Sequence, residues 1–260
     1  MFKILKYSFF DLVRSRWSYV YFLFYLLLAA TLLFLNNDLS KAVITLMNVI
    51  IILVPLIGTI FGVMYFYNSK EFTELLLAQP IKRSSIFIGL YLGVAVSLSM
   101  SLLLGIGVPF LLYGLTQSAA IWDFSLLLIT GVFLTFIFTG IAFNISLSNE
   151  NKIKGFGYAI MMWLFLAVIY DGLFLMSLVF FEDYPLDKLS LIGTMLNPID
   201  LSRTLILLKL DISALLGYTG AVFKTFFGTN QGLIISISVL FLWVLFPAIR
   251  MVRKSNKKDF

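Results

Sequence analysis

The chain has 260 residues, of which 61% are hydrophobic and only 12% charged, whereas a soluble domain carries about 25% charged residues; so few charges cannot clothe a water-facing surface. It contains no cysteine and no histidine, which excludes disulfides, thiolate or imidazole metal ligands, Cys or His nucleophiles and the usual proton shuttle at neutral pH. The net charge of +6 sits in short loops beside apolar runs, a mark of membrane topology rather than of a nucleic-acid surface.

Residues 2 to 16 place Phe2, Leu5, Phe9 and Leu12 at helical spacing, with Lys3, Lys6 and Arg14 on the other side. This predicts an amphipathic elbow helix on the membrane surface; an extended basic flank of the first span is the alternative. No small-x-small cleavage site follows, so a cleaved signal peptide is not expected. Six apolar runs then reach spanning length, at 17–35, 42–67, 85–115, 123–148, 155–181 and 232–249. The fold class expected is an all-α membrane protein of six transmembrane helices, forming a single transmembrane domain over 1–260. In the third span Pro109 is expected to kink the helix or mark its exit from the membrane.

Orientation follows from the basic residues. Lys3, Lys6, Arg14, Arg16, Lys70, Lys82, Arg83, Lys152, Lys154, Arg250, Arg253, Lys254, Lys257 and Lys258 fall on one side, against Lys41, Lys188, Arg203, Lys209 and Lys224 on the other. The richer side is expected in the cytoplasm, with both termini.

The loop at 68–84 stands out. Asn68 and Glu71 have capping-box spacing, Pro80 stops a helix, and Phe72, Leu75 and Leu76 are expected on one apolar face, with Glu71 and Arg83 at its rim. Two readings fit: a helix plugging into a cleft of a motor protein, or one lying in the headgroups. No G-x-x-x-x-G-K-[ST] occurs, so ATP chemistry requires a separate subunit.

Two G-x-x-x-G pairs, Gly58/Gly62 and Gly89/Gly93, suit close helix packing within the chain. Asp171 interrupts the fifth span; an ionisable group there is either a functional site or a structural contact near the outer interface. Met161, Met162 and Met176 on the same span suit packing better than a copper relay. Outside, residues 182–231 open with Glu182, Asp183 and Asp187. Asn197-Pro198 reads as a turn, and Asp200 as the cap of a helix bearing Leu201, Leu205 and Leu208. A short helical subdomain resting on the outer membrane surface is expected.

The run Glu71-Phe72-Thr73-Glu74-Leu75-Leu76-Leu77-Ala78-Gln79-Pro80, with Arg83 and Gly89-Leu90-Tyr91-Leu92-Gly93 after it, resembles the signature loop of ABC-2 type permeases. Within that family the likeness is to the NosY-type permeases of copper-processing transporters that mature nitrous-oxide reductase. Asn149-Glu150-Asn151-Lys152, Tyr170-Asp171 and Leu196-Asn197-Pro198-Ile199-Asp200-Leu201-Ser202-Arg203 carry it. Phe72 stands where the family usually has Gly, and residues 204–231 follow no family pattern.

The resemblance implies a type V exporter-like homodimer in the bacterial inner membrane. It carries two cytoplasmic ATPase subunits, which hold ATP and Mg, and a periplasmic copper-handling partner outside. The chain itself is then a non-catalytic mechanical transmitter without cofactor or metal. ATPase coupling is expected at Glu71, Phe72, Thr73, Leu75, Leu76, Pro80 and Arg83, and external contact at Asn197, Pro198, Asp200 and Arg203, with Asp171 as the intramembrane polar residue. The alternatives are an ABC-2 exporter of lipid, peptide or drug, and an ATP-independent secondary transporter or channel. A membrane enzyme lacks a paired nucleophile and base, and no half-chain inverted repeats support a secondary transporter.

Overall fold

The computed structural model describes residues 1–36, 39–118, 120–181, 186–209 and 230–257, and every regular element among them is helical. Among the described residues six helices or helix pairs are long and apolar enough to span a membrane.

Helix α1 (Phe2–Arg14) gives way to α2 (Arg16–Leu35) at Ser15, whose extended backbone breaks the helix and whose Oγ accepts from the Trp17 amide at 3.3 Å. The elbow buries Ile4, Ser8 and Leu12, while Phe2, expected on its apolar face, is exposed. The reason lies in α5 (Arg83–Leu112), whose small residues receive α1 closely: Ile4 lies over Gly89 and Ser8 over Gly93. A Cβ on Gly93 would fall 2.5 Å from Ser8 Cβ and 3.0 Å from the Leu5 carbonyl oxygen, on a backbone that cannot step aside alone. Gly93→Ala is therefore expected to lower stability by about 1–3 kcal/mol. Gly107→Ala, where a Cβ meets nothing within 4 Å, should cost nothing. Thermal unfolding of the two variants in detergent compares them directly.

The second small pair serves the contact between α3 (Leu39–Asn68) and α6 (Ile121–Ser148), where a Cβ on Gly62 would lie 2.8 Å from Ala142 Cβ. Thr139 Oγ1 donates to the Gly58 carbonyl across the same contact at 3.4 Å. Both glycine pairs thus pack helices within one chain. Helices α5 and α6 are the most buried spans; Leu90, Leu98, Leu127, Phe138 and Phe143 form their common core. Pro109 lies inside α5, which ends three residues later, before Gly114 at φ +93° reverses the chain.

The fifth span is two helices, α7 (Lys152–Leu164) and α8 (Tyr170–Phe180), joined by a π-helical turn at Phe165–Ile169. The last span is α11 (Asn230–Lys257), which crosses α6 where Pro247 packs on Gly140; Asn144 Nδ2 donates to the Pro247 carbonyl at 2.7 Å.

Between them, α9 (Leu186–Leu196) and α10 (Pro198–Lys209) form a hairpin bent by 118°. This corrects the expected surface subdomain. Asn197 Nδ2 donates to the Leu166 carbonyl at 2.8 Å and Trp243 Nε1 to the Met195 carbonyl at 3.1 Å; Leu166 and Trp243 both stand near the middle of their spans. The hairpin tip therefore lies at mid-depth, and helices of 11 and 12 residues reach half-way across a core of about 30 Å. Leu201, Leu205, Ile206 and Leu207 are all buried, with α3, α6 and α11 as neighbours. With these side chains covered by three spans, α10 lies inside the bundle even though its first turns carry Asp200, Ser202, Arg203 and Thr204. Of the acidic cluster, Glu182 and Asp183 lie outside the described residues, as do the side chain of Asp187 and residues 210–229.

Candidate functional site

Helix α4 (Lys70–Leu77) follows α3 across a joint at Ser69, whose ψ of 14° leaves the helical range; Ser69 N donates to Tyr65 O and Thr73 N to Ser69 O, each at 2.9 Å. The expected Asn68/Glu71 capping box does not form. Asn68 is the last residue of α3 and its Oδ1 accepts from Lys152 Nζ at 3.2 Å, while Ser69 takes the N-cap position. Side-chain oxygens brace the joint instead. Ser69 Oγ donates to Tyr65 O at 2.7 Å and Thr73 Oγ1 to Ser69 O at 2.8 Å. With its hydroxyl satisfied, Thr73 is buried at little cost. The helix ends at Leu77, before Pro80, because the residue ahead of a proline is steered out of the helical region.

Phe72, Leu76 and Leu77 pack against the core and Phe72 stacks on Tyr7 of the elbow, with ring centroids 4.5 Å apart. Leu75 does not share that face: it is 70% exposed, beside Glu71, Glu74 and Ala78. The buried arc is centred between Phe72 and Leu77, and 100° per residue carries Leu75 away from it. The outward surface of α4 is thus one leucine flanked by carboxylates. Lys70 pairs with Glu74 at 3.7 Å in an exposed i, i+4 contact of small value.

A cleft of about 640 Å³ runs from α4 to the ends of α3, α5 and α6, lined among others by Tyr67, Glu74, Leu77, Arg83 and Glu150. The 149–152 turn closes it: Tyr67 Oη donates to the carbonyls of Asn149 (2.7 Å) and Asn151 (3.3 Å), and Asn151 Oδ1 caps α7 by accepting from Ile153 N at 2.8 Å. In the sequence residues 149–152 stand out only by their resemblance; the structure places Asn149 and Glu150 in the cleft beside α4. The Asn-Glu-Asn cap between two apolar runs was the available signal.

The second polar site is the hairpin tip. Asn197 Oδ1 accepts from Ile199 N at 3.0 Å, which makes Asn197 the cap of α10, with Pro198 at its first position and Asp200 at its third. Asp200, expected as the cap, instead accepts from Asn197 Nδ2 at 2.8 Å. Arg203 Nη1 lies 2.9 Å from Asp171 Oδ2 and 3.6 Å from Asp200 Oδ1. One guanidinium therefore sits between two carboxylates from different elements, and the charge in span five is paired. Tyr170 Oη also donates to the Gly193 carbonyl at 2.6 Å. The Leu166 carbonyl that Asn197 takes lies within the π-turn. The residues expected to touch an external partner and the intramembrane acid thus form one clamp between the hairpin and span five. Asn197, Pro198 and Asp200 are buried within the chain and only Arg203 is partly exposed. In this conformation the first three meet no second protein.

No family model matches the chain. It is 24% identical over 209 residues to the probable ABC transporter permease protein NosY of Stutzerimonas stutzeri, covering 74% of this chain and 76% of that protein. Six apolar spans and an all-helical architecture among the described residues agree with this likeness: the chain is a multi-pass membrane protein similar to ABC transporter permeases.

Proposed function

We propose that the chain is the non-catalytic membrane subunit of an ATP-driven ABC transporter and that α4 is the element on which a separate ATPase acts. The observation that carries this is the seat of α4: one face locked to the elbow through Phe72 and Tyr7, the other presenting Leu75 between Glu71 and Glu74 beside an open cleft. A lone apolar anchor with a charged rim is the chemistry of a docking site. The basic end, which carries α4, is then cytoplasmic, with both termini, in the bacterial inner membrane.

A push on α4 enters α3 through the hydrogen-bonded joint at Ser69, and α3 packs on α10. The stroke thus reaches the re-entrant hairpin and the Asp171–Arg203–Asp200 clamp. On the NosY-type reading it passes outside to a periplasmic copper-handling partner in nitrous-oxide reductase maturation, the chain working as a homodimer. The exposed apolar face of α7 and α8, with Met161, Leu173 and Met176, supports a second copy or lipid at that side.

The test is purification of the tagged chain from a strain carrying its own genomic neighbourhood, with mass spectrometry of bound proteins and ATP hydrolysis of the complex. An ATPase in equal amount to the chain is expected, together with a periplasmic protein. A chain purified alone from membranes that contain the ATPase overturns the coupled reading. An ATPase without any periplasmic protein removes the copper branch and leaves the permease.

A further inference from the structure

A groove between α11 and the end of α6 joins two unlike compartments at the basic end. Its mouth, about 490 Å³, is lined by Arg250, Arg253, Lys254 and Lys257 of α11, with Leu147 and Ser148 of α6. Spacings of three, four and seven put these four cations on one face of α11. Lys254 Nζ donates to Ser148 Oγ and to the Asn144 carbonyl, which anchors that face to the end of α6.

The second compartment, about 260 Å³, lies one turn deeper between α6, α7 and α11 and shares Ser148, Arg250 and Lys254 with the mouth. Its walls are chiefly apolar: Ile141, Ile145, Met162, Phe246 and Pro247, with the amphipathic rings of Tyr158 and Trp243. Asn144 Oδ1, buried and without a hydrogen-bond partner, belongs to the Asn144 side chain on the same wall. Among the described residues no acidic side chain lines either compartment.

We infer that this groove is a binding site for an anionic phospholipid of the leaflet at the basic end, headgroup phosphate on the α11 cations and an acyl chain along Met162 and Phe246. Charge complementarity selects the headgroup, because clustered Lys and Arg at the level where a span leaves the bilayer attract anionic lipid. The apolar continuation selects a lipid over a soluble phosphate, since only an amphiphile fills both compartments. Basic residues that merely set topology need no such groove beneath them. The site is independent of the ATPase reading above.

The probes are cardiolipin, phosphatidylglycerol and phosphatidylethanolamine, titrated onto the delipidated full chain in detergent and followed by native mass spectrometry and thermal unfolding. Saturable binding of one anionic lipid per chain, in preference to phosphatidylethanolamine, is expected; a stronger response to cardiolipin places two phosphates on the four cations. Each basic side chain at an anionic lipid contributes about a fivefold preference, so Arg250→Gln with Arg253→Gln should weaken binding about thirtyfold. Arg250→Lys with Arg253→Lys should retain it, which separates lost charge from misfolding. Met162→Trp, filling the deeper compartment, should also lower lipid affinity while leaving the headgroup cations in place. The proposal is overturned if the charge variant keeps the wild-type preference, if inorganic phosphate displaces the lipid completely, or if the variant binds lipid normally and instead loses a bound ATPase.

Discussion

Leu75→Ala is expected to weaken binding of the ATPase by about thirtyfold, a loss of about 2 kcal/mol, with membrane insertion unchanged. Leu75 is the large apolar side chain that α4 turns away from its own bundle, at 70% exposure; buried in a partner it is the anchor, and Glu71 and Glu74 are rim contacts of smaller value. Phe72→Ala and Leu76→Ala should behave differently, because these side chains hold α4 to the rest of the chain. Loss of the Phe72–Tyr7 stack forfeits about 1 kcal/mol of ring contact beyond the burial and loosens the lever. The ATPase should then remain bound while its turnover ceases to depend on the membrane subunit. Lys70→Ala removes only an exposed pair with Glu74 and should change neither. Co-purification stoichiometry and ATPase rates of the four variants separate docking from coupling. Loss of the ATPase from the Phe72 and Leu76 variants but not from Leu75→Ala would place the docking face on the wrong side of the helix.

Arg203→Met is expected to destabilise the chain by about 3 kcal/mol, since it strands Asp200, which is 6% exposed, at mid-depth without a counter-charge. Asp171→Asn should cost about 1 kcal/mol or less. Its side chain is 36% exposed, and Arg203 retains Asp200 when Asp171 is neutral. Adding Asp200→Asn to Arg203→Met should recover most of the loss, because the amide accepts from Asn197 without carrying charge. Unfolding of the single and double variants in detergent, followed by tryptophan fluorescence, gives the coupling energy. Equal losses in Arg203→Met and in the double variant would mean that the clamp is held by packing and not by charge. If the hairpin also relays the stroke, Asp171→Asn should alter ATP-coupled activity more than it alters assembly.

How much was legible in the sequence depends on whether the physics involved is local. Apolar runs of spanning length, the basic asymmetry of the loops, the Pro80 stop and the absence of Cys and His follow from composition and short-range periodicity, which is why the all-helical, six-span class was readable directly. The glycine pairs were also legible as packing seams, although not which helices would fill them: α1 for Gly89 and Gly93, α6 for Gly58 and Gly62. The orientation of α4 was half legible. Phe72 and Leu76 face inward as a helical repeat suggests, but Leu75 and Leu77 exchange places. The buried arc is set by where α1 and α5 lie and by the satisfied hydroxyl of Thr73.

The hairpin was misread for the same reason. Short apolar helices with Asn, Asp and Arg at one end look like a surface subdomain until those polar groups find partners. Asp171 and Arg203 are separated by 32 residues, Asn197 and Leu166 by 31, and Trp243 and Met195 by 48. Likewise the lipid groove needs the last turn of α6, the face of α11 and the side of α7 in one place. Sequence by itself determined what each segment must bury and which end bears the positive charge, because hydropathy and charge act residue by residue. Only the tertiary structure decided what each buried face meets, because a hydrogen bond or ion pair in an apolar medium is set by the proximity of groups distant in the chain.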